Sequence, residues 1–195
     1  KQVRVEIAEY AAVDVVPITS VKPYTDIIPD YWYLCEHGDG WMIRYVEVIS
    51  GEESATRVKE KLEEYQAWSK RPEIQRYLND MYRKLRATNP LPEFELHCVV
   101  ESRSFKRSDA TKERSMMMQA FNVDPAMQMR VWTTTKDRLE SAWTEGQTIN
   151  APIWYRAADF RGLPRQKYEQ QKLGTRTAYV DRLMRQVDPH PLFAG

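Results

Sequence analysis

The stretch Pro29-Asp-Tyr-Trp-Tyr-Leu-Cys-Glu-His-Gly-Asp-Gly-Trp-Met-Ile-Arg-Tyr-Val-Glu-Val-Ile49 decides the fold of this chain. Two segments rich in aromatic and apolar residues, Tyr31 to Glu36 and Trp41 to Ile49, flank the sequence His37-Gly-Asp-Gly40. Glycines beside a small polar residue are typical of the tight turn of a β-hairpin. The stretch is therefore predicted to form two antiparallel strands.

The register of this hairpin brings two acidic residues together. If the turn is centred between Gly38 and Asp39, the numbers of paired residues sum to 77, and Asp30 lies opposite Glu47. Directly opposed side chains share one face of a sheet, with Cβ atoms about 5 Å apart. Two carboxylates this close repel each other unless a positive charge lies between them, and a divalent metal ion commonly supplies it. The spacing predicts a metal site at Asp30 and Glu47; the alternative is two solvated acids at the ends of a hairpin.

Composition limits the class of protein. A chain of 195 residues is long enough for one domain with a core, with or without an appendage, and its net charge of +1 gives no global basic field. Cys35 and Cys98 lie in predicted strands and form no CxxC pair, so we expect buried, reduced thiols in a reducing compartment, the cytoplasm. No apolar run approaches the roughly 20 residues of a membrane span, and no signal peptide is apparent. The first residue is Lys1 rather than Met, as in a fragment or a processed product.

The rest of the chain alternates between strand and helix patterns. An N-terminal extension, residues 1–23, is β-rich, because Val3, Val5 and Ile7 alternate with other residues. The later predicted elements are helices from Glu52 to about Lys70 and from Pro72 to about Ala87, a strand from Phe94 to Val100, a helix from Ser108 to Phe121, a strand from Gln128 to Thr133, a helix from Thr135 to Trp143 and an edge strand at 153–155.

The first helix carries a lysine that can reach the acidic pair. Lys61 lies about 80° from the centre of the apolar stripe of this helix, at 100° per residue. A lysine at that position can bury its stem and still extend past the edge of the sheet. Lys61 is thus a candidate partner for the two carboxylates; the alternative is a solvated lysine that pairs with Glu64. The stripe consists of Ala55, Val58, Leu62 and Tyr65.

A basic segment follows the predicted α/β domain of residues 1–155. Residues 156–195 form a partly helical C-terminal segment, in which residues 156–187 carry eight basic side chains against three acids, with tyrosines interleaved. Such a segment can bind nucleic acid or a partner; the alternative is a solvated tail helix. The candidate nucleic-acid-binding residues are Arg165, Lys167, Lys172, Arg176, Arg182 and Arg185.

The order of elements predicts an α/β fold, a mixed sheet with an antiparallel hairpin and flanking helices. A hairpin with Asp at its start and Glu at its end, followed by a helix and a strand–helix–strand unit, is the layout of the PD-(D/E)xK nuclease core. The chain resembles that superfamily in Pro29-Asp30 and in Glu47-Val48-Ile49. The resemblance implies that Asp30 and Glu47 bind Mg²⁺, and that a lysine assists the attacking water.

More narrowly, the chain resembles the replication-relaxation family of plasmid and mobile-element proteins. The similarity runs from about Ile28 to Tyr155 and rests on the order of short motifs. After Pro29-Asp30 and the strand ending in Glu47 come Lys61-Leu-Glu-Glu-Tyr65, Thr133-Thr134 and Pro152-Ile-Trp154. The resemblance implies a DNA partner and a role in the replication or processing of a plasmid, a phage or another mobile element.

One departure divides the functional expectations. Ile49 stands where the superfamily has lysine and the narrower family has aspartate, and an aliphatic side chain can neither bind metal nor orient water. One hypothesis is a metal-dependent endonuclease in which Asp30, Glu47 and Lys61 are catalytic. A second is a catalytically inactive fold that binds DNA. A third is a protein-assembly module, with a protein partner or a homo-oligomer.

Overall fold

The computed structural model describes residues 27, 29–37, 39–50, 52–84, 89–101, 113, 116–117, 119–120, 122–147, 151–160 and 187–191. The predicted extension at residues 1–23 and the six candidate nucleic-acid-binding residues lie outside these ranges. The elements are strands β1 (Tyr31–His37), β2 (Gly40–Ser50), β3 (Pro90–Glu101), β4 (Val131–Thr135) and β5 (Tyr155–Arg156), helices α1 (Ala55–Ser69), α2 (Glu73–Lys84), α3 (Pro125–Gln128) and α4 (Lys136–Thr144), and a 3₁₀ helix (Ala157–Phe160).

The five strands form one mixed sheet in the order β1-β2-β3-β4-β5. The hairpin β1–β2 is antiparallel, β2, β3 and β4 are parallel to one another, and β5 runs antiparallel to β4. The α/β class and the mixed sheet are confirmed, and β3 is the central strand. The hairpin register is confirmed as well, because Tyr31 pairs with Val46 and His37 with Gly40, so that paired numbers sum to 77.

Several element boundaries differ from the prediction, among them the start of β3 at Pro90, and side-chain caps account for two of them. Helix α1 begins after Ser54, whose hydroxyl accepts a hydrogen bond from the backbone N–H of Arg57 (3.1 Å). The strand predicted at 128–133 begins instead at Val131. The residues before it form α3, where the carboxylate of Asp124 accepts from the N–H of Met127 (2.8 Å) and Pro125 occupies the first turn. Asp followed by Pro is a helix start signal.

One face of the sheet packs against α1 through aromatic side chains. The ring of Trp68 lies 5.0 Å from that of Phe94 and 5.5 Å from that of Tyr45, centroid to centroid. Such edge-to-face and tilted arrangements stabilise aromatic clusters beyond the area they bury. Met116 and Met117 join this core, as expected for residues that fill it, and Cys98 is a buried free thiol.

The opposite face of the sheet carries a buried polar network centred on Glu95 of β3. The Glu95 carboxylate contacts Arg44 Nε at 2.6 Å, His97 Nε2 at 3.2 Å and Trp132 Nε1 at 3.1 Å. The hydroxyl of Tyr33 lies 2.9 Å from His97 Nδ1. A carboxylate only accepts, so Nε2 of the neutral imidazole holds the proton and Nδ1 accepts from Tyr33. Each donor that meets Glu95 is thus supplied by the sheet itself.

Opposing causes set the pKa values in this network. Burial would raise the pKa of Glu95, but the hydrogen bond from His97 and the charge of Arg44 lower it to about 2. Burial lowers the pKa of His97 to about 4, in spite of the neighbouring Glu95. Glu95 is therefore ionised and His97 neutral at neutral pH.

The turn of the hairpin is fastened to the start of β3. The N–H of Trp41 donates to the carbonyl of Asn89 (3.1 Å), and the amide of Asn89 donates to the carbonyl of Asp39 (3.1 Å). Asn89 has a positive φ of 47°, a conformation that asparagine tolerates. A Cβ atom at Gly40 would overlap the Asn89 carbonyl oxygen, so glycine is required there for this close approach.

The C-terminal part of the described chain packs beside β4. Tyr155 pairs with Thr133, Trp154 forms a bridge with His190, and Phe160 reaches the aromatic core. The predicted domain boundary after Tyr155 stays a prediction. Among the residues that the structure describes, no helix is long and apolar enough to cross a membrane.

Candidate acidic and lysine site

The hairpin and α1 bring Asp30, Glu47 and Lys61 to one corner of the sheet. Asp30 directly precedes β1, and Glu47 lies near the carboxyl end of β2. In open α/β sheets, ligands bind outside the carboxyl ends of the parallel strands. The corner therefore lies on the side of the sheet where ligand sites of this architecture occur.

Glu47 is the buried centre of this corner, with only 4% of its surface exposed. Its Oε2 accepts from Lys61 Nζ at 2.9 Å, and its Oε1 accepts from the hydroxyl of Tyr65 at 2.7 Å. Both donors come from α1, on the same face of the sheet. The pattern Lys61-Leu-Glu-Glu-Tyr65 places the two donors four residues apart, so they project from the same side of the helix.

Lys61 reaches over the edge of the sheet, as its position beside the apolar stripe predicts. Its side chain is 19% exposed and pairs with Glu47 and, at 3.3 Å, with Glu53. The alternative partner, Glu64, pairs instead with Arg57 at 3.5 Å. The lysine is therefore a member of the acidic corner and not a solvated surface group.

Asp30 is exposed and anchors the start of β1 to the end of β2. Its Oδ2 accepts a hydrogen bond from the backbone N–H of Val48 at 2.8 Å. Because the register continues from Tyr31 and Val46, Asp30 and Glu47 share the α1 face. The metal hypothesis depends on this register, extended by one residue pair beyond Tyr31 and Val46.

Burial and charge shift the pKa values of the corner in a consistent direction. Burial raises the pKa of Glu47, and the charge of Asp30 raises it further, against the lowering effects of Lys61 and Tyr65. Burial alone would lower the pKa of Lys61, but the charges of Glu47, Glu53 and Asp30 outweigh it and the net shift is upward. Lys61 is a cation at neutral pH, and its positive charge offsets the repulsion between the acids of this corner.

The donor set of this corner fits Mg²⁺ in its chemistry. Mg²⁺ typically binds through one or two carboxylates together with water and phosphate oxygens. Asp30 and Glu47 supply two such carboxylates. No group of three or more His, Cys, Asp or Glu side chains that could hold a metal occurs within the described ranges, so an all-protein cage is not formed by them. A metal at Glu47 competes with Lys61 for Oε2.

Two residues at this corner were not assigned as candidates from the sequence. Tyr65 was assigned only to the apolar stripe, although its hydroxyl bonds Glu47. Glu53 precedes α1 and shares Lys61 with Glu47. Ile49, the departure from the superfamily motif, lies in the core at 2% exposure and reaches no ligand position. The spacing from Lys61 to Tyr65 is the signal that could have identified Tyr65.

Comparisons of the chain with models of protein families, with curated proteins and with solved structures find no match. The contacts of Asp30, Glu47 and Lys61 and the order of motifs in the sequence are therefore what indicates a function for this chain.

Proposed function

We propose that this chain is a nuclease-like protein that acts on DNA in the replication or processing of a plasmid, a phage or another mobile element. The observation that supports the proposal is the meeting of Asp30, Glu47 and Lys61 at the carboxyl end of β2. The hairpin register supplies the two acids, and Lys61 pairs with Glu47 at 2.9 Å. The PD-(D/E)xK type of fold is part of the same proposal.

In the proposed reaction, Asp30 and Glu47 hold Mg²⁺. A metal held there would lower the pKa of a bound water molecule and would stabilise the charge that develops on phosphate. Tyr65 fixes the orientation of the Glu47 carboxylate through its hydrogen bond to Oε1. The buried position of Glu47 keeps this carboxylate in one place while Asp30, which is exposed, faces solvent.

Lys61 takes the part of the lysine that Ile49 replaces. Its raised pKa leaves the amine protonated at neutral pH, so it cannot accept a proton from water. A protonated amine donates hydrogen bonds and stabilises negative charge on a phosphate oxygen. We therefore assign Lys61 the role of an electrostatic stabiliser rather than a general base.

Metal binding and cleavage test the proposal together. Mg²⁺ and Mn²⁺ are titrated by calorimetry into the native protein, Asp30→Asn and Asp39→Asn, and each protein is incubated with supercoiled and single-stranded DNA. Asp39 is the matched control, because it lies at the other end of the same hairpin. Loss of binding and cleavage in Asp30→Asn alone supports the proposal. Unchanged metal-dependent cleavage in Asp30→Asn contradicts it.

A second candidate is a catalytically inactive fold that binds DNA. Two observations favour it: Ile49 is buried in the core, and Lys61 already occupies the Glu47 oxygen that a metal needs. This candidate predicts DNA binding that weakens steeply with salt and needs no metal. The variants Arg176→Gln, Arg182→Gln and Arg185→Gln, combined in one chain, are expected to weaken it. Binding that the triple variant leaves intact contradicts this candidate.

A third candidate is an assembly module that binds a protein partner or forms a homo-oligomer. Trp143 and Met129 are the large apolar side chains exposed among the residues that the structure describes. Analytical ultracentrifugation of the native chain tests self-association.

A further inference from the structure

A cavity lies at the opposite end of the sheet from the acidic corner. Strand β3 begins at Pro90, but β4 begins at Val131, which pairs with Leu96. The residues of β3 before Leu96 therefore have no strand neighbour on that side among the described residues. The space beside them is a cavity of about 600 Å³, a volume typical of sites for small organic ligands.

Part of the wall of the cavity is apolar and aromatic. Met42, Phe94 and Trp132 line it from the sheet, and Ala126 and Met129 line it from the segment around α3. Met129 is 45% exposed, unusually high for a large apolar side chain in this molecule. Met42, Phe94 and Trp132 are buried, whereas Ala126 and Met129 are exposed. These two residues therefore offer the accessible apolar surface, which favours a ligand with an apolar body.

Arg130 supplies a fixed positive charge at this wall. Its guanidinium lies 5.1 Å from the centre of the Phe94 ring, a cation–π contact that restrains the side chain. None of the carboxylates that the structure describes forms an ion pair with it. The other arginine of the wall, Arg156, is neutralised by Asp159, which accepts from its Nε (3.0 Å) and from its Nη2 (2.8 Å).

The two glutamates of the wall also differ in whether an ion pair neutralises their charge. Glu95 lines the cavity, but Arg44 neutralises its charge at 2.6 Å. Glu93 also lines the cavity, is exposed, and forms no ion pair with Arg130 within 4 Å. The unneutralised charges of the wall are therefore Arg130 and Glu93, with Glu93 at the solvent side.

We infer that this cavity binds a small organic anion with an apolar body, whose acidic group pairs with Arg130 while the body packs against Ala126 and Met129. A guanidinium favours carboxylate, sulfonate or phosphate groups through paired hydrogen bonds. Glu93 repels such a ligand and tunes its affinity. The site lies at the amino ends of the parallel strands, so the inference does not depend on the proposed nuclease function.

The probe for the test is 8-anilinonaphthalene-1-sulfonate, an aromatic sulfonate whose fluorescence rises in apolar surroundings. Its neutral counterpart, N-phenyl-1-naphthylamine, has the same ring system without the charge. We expect saturable binding of the sulfonate at one site per chain, and at least fivefold weaker binding of the neutral amine, since a charge-assisted hydrogen bond is lost.

Four variants locate the site. Arg130→Gln is expected to weaken sulfonate binding about tenfold, and Arg130→Lys to weaken it less. Glu93→Gln is expected to strengthen it severalfold by removing the repulsion. Ala126→Trp fills the cavity and is expected to abolish binding of both probes. Arg83→Gln is the control, because Arg83 lies on α2, is exposed and pairs with Asp80.

Thermal unfolding of each variant is compared with that of the native chain, so that probe binding to a partly unfolded variant is recognised. Equal affinity for the two probes overturns the inference, because charge would then play no part. Binding that is unchanged in both Arg130→Gln and Ala126→Trp overturns it too. Loss of metal binding in Asp30→Asn with retained sulfonate binding separates this site from the acidic corner.

Discussion

Glu47 and Glu95 are buried glutamates on neighbouring strands, and they face opposite sides of one sheet. Glu95 accepts hydrogen bonds from Arg44, His97 and Trp132, all of which belong to strands. Glu47 accepts from Lys61 and Tyr65, which belong to a helix, and has a second acid, Asp30, beside it. The pKa of Glu95 is lowered to about 2, whereas that of Glu47 is raised.

This difference in donors and in pKa indicates that Glu95 has a structural role, whereas Glu47 is suited to exchange its partners. The donors around Glu95 are held in place by strand pairing, and they lower its pKa, so the charged carboxylate is stabilised inside the protein. Lys61 is a flexible amine at the edge of the sheet, and the charge of Asp30 works against ionisation of Glu47. A buried acid whose compensation is incomplete is a candidate for binding a cation.

The largest loss of stability is expected when Glu95 loses the positive charge of Arg44. Arg44→Met leaves Glu95 buried without its cation, so the free energy of unfolding should fall by about 3–5 kcal/mol. Lys61→Met should cost less, because Lys61 is partly exposed and Tyr65 remains on Glu47. Guanidinium chloride unfolding at pH 7 measures both. Equal losses of stability in the two single variants would contradict the difference between Glu95 and Glu47. The double variant Arg44→Met/Glu95→Leu should recover much of the stability lost in Arg44→Met.

The pH dependence of stability should follow from the same network. The pKa of His97 falls from 6.5 to about 4 on folding, so between these values the unfolded chain binds more protons and stability falls as the pH falls. The loss amounts to at most about 3.5 kcal/mol, at about 1.4 kcal/mol per pH unit. Glu95 extends the loss from pH 4.5 towards 2, and the raised pKa of Glu47 opposes it.

Urea unfolding at pH 7, 5.5 and 4.5 checks this dependence. His97→Asn should flatten the change of stability between pH 6.5 and 4, whatever it does to stability at pH 7. His190→Asn provides the control, because it alters a histidine that pairs with Asp159 and not with Glu95. A slope that His97→Asn leaves as steep as in the native chain would assign the acid sensitivity to other groups.

A smaller effect is expected from Tyr65→Phe. The substitution leaves the buried Oε1 of Glu47 without its donor and should cost about 1–2 kcal/mol. It should also raise the pKa of Glu47 further, because the hydrogen bond lowers that pKa. A double-mutant cycle with Glu47→Gln isolates the contact. Additive losses in the cycle would show that the two side chains do not interact.

The smallest change in stability is expected from Asp30→Asn, below about 1 kcal/mol, because an exposed asparagine can still accept from Val48 N–H. Its effect should appear instead in the ionisation of Glu47. The charge of Asp30 raises the pKa of Glu47, so its removal should lower that pKa. A carbon-detected NMR titration of the Glu47 carboxyl measures the shift, with Asp39→Asn as control. An unchanged titration would place Asp30 too far away to matter.

The acidic corner was accessible to sequence reasoning because local rules determine it. The turn glycines indicated the register that puts Asp30 opposite Glu47. The angular position of Lys61 on its helix placed it beside the apolar stripe, within reach of Glu47. The network around Glu95 was not predicted. Arg44, Glu95 and His97 alternate with apolar residues, a pattern that equally describes a solvated face, and only the segments that cover this face bury them.

Asn89 closes the turn of the hairpin from a position 50 residues beyond Asp39. The hairpin looks local in sequence, yet its turn is completed only when the chain has passed through two helices and returned. Closing so long a loop costs conformational entropy before the contact contributes. We therefore expect an isolated peptide of residues 29–50 to remain largely unpaired in water, and the acidic pair to assemble late, once β3 has docked.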